Sequence, residues 1–168
     1  MVANTGTYLD APFHRYADGK DLSELSLETL ADLDGVLVQV PWESGREIDA
    51  SHFAGLDLSG KAVLICTGWD GHWGTSRYLS DNPYLTRDAA QFLADTKAKL
   101  VGIDSLNIDD ISDLARPVHS ILLAAEIPIV EHMCGLKPLG KRLFKFFAVP
   151  VKMRGMGTFP VRAFAIVE

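Results

Sequence analysis

Asp10 and His14 stand four residues apart, with Pro12 between them, in the segment Asn4-Thr5-Gly6-Thr7-Tyr8-Leu9-Asp10-Ala11-Pro12-Phe13-His14. A carboxylate and an imidazole displayed together are what a metal site or an acid–base pair needs. Proline removes a backbone donor and disfavours the α region for Ala11, so a helix presenting positions i and i+4 is not expected. An extended segment is, in which residues two apart share a face. Leu9, Ala11 and Phe13 would then be buried, and Tyr8, Asp10 and His14 would stand in a row on the other side. A surface turn with scattered polar residues has the same composition, so the segment needs partners to form a site.

Two such partners sit inside apolar stretches, where charged groups are informative. His119 lies in Pro-Val-His-Ser-Ile-Leu-Leu, and Glu131 in Ile-Pro-Ile-Val-Glu-His-Met-Cys. A core histidine with satisfied bonds and a solvated strand-end glutamate are the plain alternatives. The loop 67–75 adds three glycines and two tryptophans, Trp69 and Trp73, directly after an apolar strand. Loops fed from buried strands often carry sites, and aromatic rings there can wall a pocket or pack on the core.

These residues must be positioned by an alternation of strands and helices. Strands are expected over 35–42, 61–67 (buried on both faces), 100–104, 128–131, 144–153 and 160–167, on β-branched composition and Gly or Pro boundaries. The clearest helix is 84–99, with Thr86 as N-cap, Ala89, Ala90, Phe92 and Leu93 as the apolar stripe, and Lys97 and Lys99 at its C-terminal end. A second helix over 117–125 carries His119, and Ser26 can cap a short turn. Residues 108–113 read as an acidic loop. Strands outnumber helices and helices separate some of them, which gives an α/β or α+β domain with a mixed sheet.

The 168 residues suit one domain with a sizeable core, 48% being apolar and 23% charged. The net charge of −6 argues against nucleic acid as a partner, because phosphate binding needs clustered Lys and Arg. No apolar run reaches the roughly 18 residues of a membrane span, and the start lacks the basic and apolar regions of a signal peptide. Cys66 and Cys134 lie far apart in apolar company, so free, inert thiols in a cytoplasmic protein are expected.

The segment 4–14 resembles the signature His-x-Gly-Thr-His-x-Asp-x-Pro-x-His of the cyclase superfamily of metal-dependent hydrolases, which includes kynurenine formamidase and isatin hydrolase. The resemblance continues through Thr67-Gly68-Trp69, Tyr78, Pro83-Tyr84-Leu85, Val101-Gly102-Ile103-Asp104-Ser105, His119, Ile129-Val130-Glu131 and Phe159-Pro160-Val161-Arg162-Ala163. It implies a swivelling β/β/α domain, a barrel-like mixed β-sheet flanked by helices, over residues 1–168 and in a homo-oligomer (dimer or tetramer). The signature begins at residue 4, so the usual N-terminal segment of the family is expected to be lacking.

By position, the resemblance makes Asp10, His119 and Glu131 metal ligands and His14 the acid–base residue. Asn4 and Tyr8 occupy the two early histidine positions, and neither is a usual zinc ligand. The implied set, one nitrogen with two oxygen donors, can hold one zinc or manganese ion with an open water position. Tyr8 can then donate to a developing oxyanion, while Asn4, Trp69 and Trp73 contact the substrate. The implied activity is hydrolysis of a small cyclic or aryl amide or ester. The alternative is a metal-free, non-catalytic member that binds a small molecule or acts as an oligomeric partner.

Overall fold

The computed structural model describes residues 3–168. Its centre is the strand β4, Ala62–Cys66, in which every residue is buried. In chain order the remaining strands are β1 (Tyr8–Asp10), β2 (Leu33–Gln39), β3 (Glu47–Ile48), β5 (Tyr84–Leu85), β6 (Leu100–Ile103), β7 (Ile129–Glu131), β8 (Phe144–Phe147), β9 (Thr158–Pro160) and β10 (Phe164–Val167). Eight of them form one sheet in the order β10-β8-β2-β4-β6-β7-β1-β9, while β3 and β5 pair separately in parallel. Strands β2, β4, β6 and β7 are parallel; β1 and β8 flank them antiparallel, and β9 and β10 pair antiparallel with β1 and β8 in turn.

Two-residue periodicity divides the core. Val63, Ile65, Val101, Ile103 and Ile129 point to the face covered by helices α1 (Arg87–Asp95) and α2 (Pro117–Ala124). Leu9, Ala62, Leu64, Cys66, Leu100 and Val130 point to the other face, which Leu22, Leu30, Met133, Leu136 and Leu139 fill. The sheet must curl, because its two edge strands β9 and β10 are consecutive in the chain. Only residues 161–163 join them, a reach of at most about 15 Å. The result is the expected α/β arrangement: a mixed half-barrel sheet with two helices.

Three expected elements are shorter than their patterns. Residues 84–85 leave the first helix to pair with β3, and Thr86 caps it by accepting from Ala89 N. Its C-terminus closes in a Schellman turn, with Lys97 N bonded to Ala94 O and Ala98 N to Leu93 O, and Lys97 left-handed at φ 59°. Lys97 and Lys99 therefore lie beyond the helix, and Lys99 N already bonds Lys61 O beside the sheet. The strand expected over 144–153 stops at Phe147. The one expected over 160–167 breaks into β9 and β10, because its halves pair with opposite edges of the sheet. The cysteines are free, Cys66 buried and Cys134, in its apolar stretch of sequence, exposed.

Gly35 of β2 lies where a Cβ would sit 1.8 Å from the Phe144 ring of β8. Gly35→Ala should therefore destabilise the fold by about 1–3 kcal/mol through overpacking, read as a lower urea midpoint at unchanged slope.

Candidate metal and acid–base site

The site forms where β1, β7 and the start of α2 meet. The antiparallel register sets Tyr8 opposite Glu131 and Asp10 opposite Ile129. Leu9 and Val130 take the inner face of the curl, so Tyr8, Asp10 and Glu131 turn toward the helices. His119 comes from the first turn of α2 to meet them. Its Nε2 lies 3.5 Å from Asp10 Oδ2 and 3.8 Å from Glu131 Oε1.

His14 does not continue the β1 row. Pro12–His14 form a 3-10 turn that brings the imidazole back to Asp10, with His14 Nδ1 3.6 Å from Asp10 Oδ1. Two glycines clasp this turn. A Cβ on Gly157 would stand 2.4 Å from His14 N, and one on Gly19 would stand 2.8 Å from the Pro12 carbonyl carbon. Ala11 N also donates to Gly157 O at 2.7 Å. The His14 side chain keeps 33% of its surface exposed, whereas Asp10, His119 and Glu131 are buried.

His119 is oriented by Asp109. Arg116 at the N-cap of α2 makes no side-chain cap, and Pro117 follows at the first helical position. Asp109 supplies the cap from outside the helix, accepting from Val118 N at 2.7 Å and His119 N at 3.0 Å. Its Oδ2 also lies 2.6 Å from His119 Nδ1. A carboxylate there holds the proton on Nδ1 and aims Nε2 at Asp10, as in carboxylate–histidine–metal arrangements. The sequence pattern placed Asp109 only in an acidic loop. The available signal was a helix opening Arg-Pro without a capping residue of its own, which calls for a cap from elsewhere.

The electrostatics are one-sided. Asp10, Asp109 and Glu131 are three buried carboxyl groups around one imidazole. Burial works against charge on His119, but these carboxylates outweigh it and push its pKa up to about 10. Burial raises the Glu131 pKa and lowers that of His14, despite the pull of Asp10 on His14. The Tyr8 phenol is pushed up by burial and by the neighbouring Glu131 and Asp10, so it stays protonated and donates to Glu131 Oε2. The other oxygen of Glu131 accepts from Ile108 N at 2.6 Å.

Both oxygens of Asp10 and the Nε2 of His119 are buried without a hydrogen-bond partner among the described residues. Such atoms are costly unless something binds them. Donor atoms of Asp10, His14 and His119 all lie within 4.8 Å of one another. The 3.5 and 3.6 Å separations are close to the edge of about 3.3 Å between ligands of a tetrahedral ion with bonds near 2.0 Å. The residues fit a divalent cation, and an ion there would displace the proton on His119 Nε2. This tightest set contains His14 where the sequence expectation had Glu131.

The remaining expected site residues lie apart from this cluster. Asn4 is exposed in the bend before Gly6. Trp69 is only 1% exposed, stacked edge-on with Trp42 and His72, and its Nε1 donates to Tyr78 O at 3.2 Å. It buttresses Tyr78 from behind. Trp73 is 58% exposed and packs on Tyr78 and His132, whose ring also meets that of Tyr8.

Because His119 titrates near 10 when folded against 6.5 ordinarily, its charge stabilises the metal-free protein fully below pH 6.5 and fades as pH rises toward 10. In chelator, the gap in urea midpoint between wild type and His119→Gln should narrow across that window. A gap independent of pH would show His119 to be neutral. Asp109→Ala should cost about 3–5 kcal/mol, since it strips the partner from a buried imidazolium.

Known proteins resemble this chain in sequence and in fold. A family model described as a putative cyclase matches residues 1–110. Kynurenine formamidase of Bacillus anthracis is 27% identical over 165 residues, which cover 97% of this chain and 76% of the relative, and that of Bacillus cereus matches to the same extent. A solved structure of a potential metal-dependent hydrolase with cyclase activity superposes with a TM-score of 0.80 at 28% identity, covering 97% of this chain and 78% of the other. An isatin hydrolase bound to the product analogue thioisatinate shares the fold, with a TM-score of 0.86 at 22% identity over 97% of this chain and 72% of the other. The half-barrel, the signature-like segment on β1 and the family match together place this chain in the putative cyclase family.

Proposed function

We propose that the protein is a metal-dependent hydrolase of a small aryl or cyclic amide or ester. The observation that carries this reading is the set of buried, unbonded atoms on Asp10 and His119 within an excess of carboxylates. The relatives named kynurenine formamidase, and the isatin hydrolase of the same fold, point to the amide class.

In this reading Asp10 and His119 would hold one divalent ion with Glu131, whose Oε1 lies 3.8 Å from His119 Nε2, as the third donor, and one nitrogen with two oxygens suits zinc or manganese. An ion there would supply Lewis-acid polarisation of a carbonyl and would make a water more acidic. His14 is the proton carrier. Burial keeps it neutral, so it can accept a proton at neutral pH, and its exposed edge lets it pass that proton to the leaving nitrogen or oxygen. Asp10 orients the imidazole from 3.6 Å. Tyr8 acts as a positioning residue, since its hydroxyl is committed to Glu131 and sets the charge of that carboxylate. A homo-oligomer accords with the edge strand β10, which exposes Phe164 and Ile166.

The Tyr8–Glu131 hydrogen bond favours one rival: a metal-free binder in which the phenol proton partly offsets the buried charge. Metal analysis separates the two. Protein purified without chelator should carry one zinc or manganese per chain and hydrolyse N-formylaniline or an aryl lactam. His14→Ala should keep the ion and lose about 10²–10⁴-fold in turnover. Loss of the ion with that substitution would make His14 a ligand. No ion and no activity after adding zinc or manganese would leave the binder.

A further inference from the structure

The two edges of the main sheet are guarded differently. An edge strand offers unpaired N–H and C=O groups, and folds usually blunt it with proline, lysine, a bulge or a cover. The edge strand β9 carries Pro160, and its three residues are half-buried. The edge strand β10 lacks such guards: residues 163–167 read Ala-Phe-Ala-Ile-Val, with neither proline nor charge. Helices α1 and α2 cover the middle of the sheet, and none of the described residues of β8 or β10 belongs to the core beneath them.

The register shows which groups face outward. Phe164 pairs with Phe147 and Ile166 with Lys145, and the ladder runs on to Glu168 N, which bonds Leu143 O at 3.2 Å. Hydrogen bonding alternates along an antiparallel pair, so Phe164, Ile166 and Glu168 bond inward to β8, and Ala165 and Val167 turn their N–H and C=O to the open edge. Side chains alternate as well. Ala165 packs on the inner core, whereas Phe164 and Ile166 stand on the outer face, 48% and 55% exposed. Phe164 stacks on Phe147 of β8 with ring centroids 4.9 Å apart and planes 4° from parallel, which fixes its position. Arg162 and Glu168, both exposed, extend the row at the same two-residue spacing.

That row reads cation, apolar, apolar, anion. Turned end for end it complements itself: Arg162 meets Glu168 and Phe164 meets Ile166, with Ala165 opposite Ala165. We propose that β10 is the docking surface for β10 of a second copy of this chain, antiparallel about a two-fold axis through Ala165. Ala165 exchanges both backbone bonds with its counterpart, and Ala163 pairs with Val167. The aromatic and β-branched side chains pair twice in this register, and so do the opposite charges. An axis through Ile166 instead sets Phe164 against Glu168 and breaks both matches. A strand satisfies the open backbone groups, which a lipid surface does not. This names the contact for the homo-oligomer of the hydrolase reading and does not depend on that chemistry.

Sedimentation velocity over a concentration series should show a monomer–dimer equilibrium. Ile166→Glu faces Lys145 within the chain, which suits the fold, and should weaken the dimer at least about tenfold, because the axis makes each substitution count twice. Arg162→Glu and Glu168→Arg should each weaken it about three- to tenfold, and the two together should restore it, since the reversed pairs re-form across the axis. All three positions are exposed, and circular dichroism should show the fold unchanged in every variant. A monomer at every concentration, a dimer indifferent to Ile166→Glu, or charge reversals that add rather than compensate would overturn the proposal. Growth beyond two copies would overturn it too, since a two-fold contact closes. Metal content and amide hydrolysis, measured on the same samples, separate the two readings. A wild-type monomer that holds the ion and turns over would remove the interface alone. A dimer with neither ion nor turnover would remove the hydrolase reading alone.

Discussion

The contact on which the site depends is the one between Asp109 and His119. Asp109 lies outside α2 yet caps its first turn, and the same carboxylate holds the His119 imidazole by Nδ1. The helix end and the orientation of the imidazole are thus one structural decision. A side-chain cap from within the helix could not have done both, since the N-cap is Arg116 in a left-handed conformation. With Nδ1 occupied, Nε2 faces Asp10 and Glu131, and it makes no hydrogen bond among the described residues.

From that constraint follows the imbalance of charge. Three carboxyl groups are buried with one imidazole, and their partners satisfy them unequally. Asp109 and Glu131 take hydrogen bonds, whereas both oxygens of Asp10 take none among the described residues. A fold can tolerate such a group only if something offsets its desolvation. The proton on His119 does so in part, and a divalent cation would do so more fully. The phenol of Tyr8, kept protonated by its buried acidic neighbours, quiets Glu131 in the same way. Its ring meanwhile packs on that of His132, so Tyr8 joins the ionic cluster to the aromatic packing beside it.

The half-barrel makes these neighbours possible. Parallel strands β4, β6 and β7 carry the chain across the sheet, and antiparallel β1 is added beyond them, so residues 8–10 meet residues 129–131. The last strands close the other side: β9 pairs with β1, and the segment before it presses Gly157 against the His14 turn. The C-terminal part of the chain therefore holds the N-terminal signature in place. The tolerance is tight, because a single methyl group at Gly157 would collide with the His14 backbone.

Local physics was enough for much of this. Periodicity and composition located the buried strands and both helices, Thr86 was recognisable as a cap, and the charged residues within apolar runs, His119 and Glu131, stood out against their surroundings. The extended row expected of Tyr8, Asp10 and His14 ends at Asp10, because Pro12 opens a 3-10 turn that folds His14 back toward it. The lengths of the elements were legible only in part, because Tyr84–Leu85 and the break at 161–163 answer to strand pairing far along the chain. What only the tertiary structure decided was which polar atoms meet. Asp109 reaches a helix ten residues on, Tyr78 reaches His132 across 54, and Tyr8 reaches Glu131 across 123. Sequence carries propensity and pattern, which act over a few residues. The pairing of buried polar groups is set by a curled sheet that no short window contains.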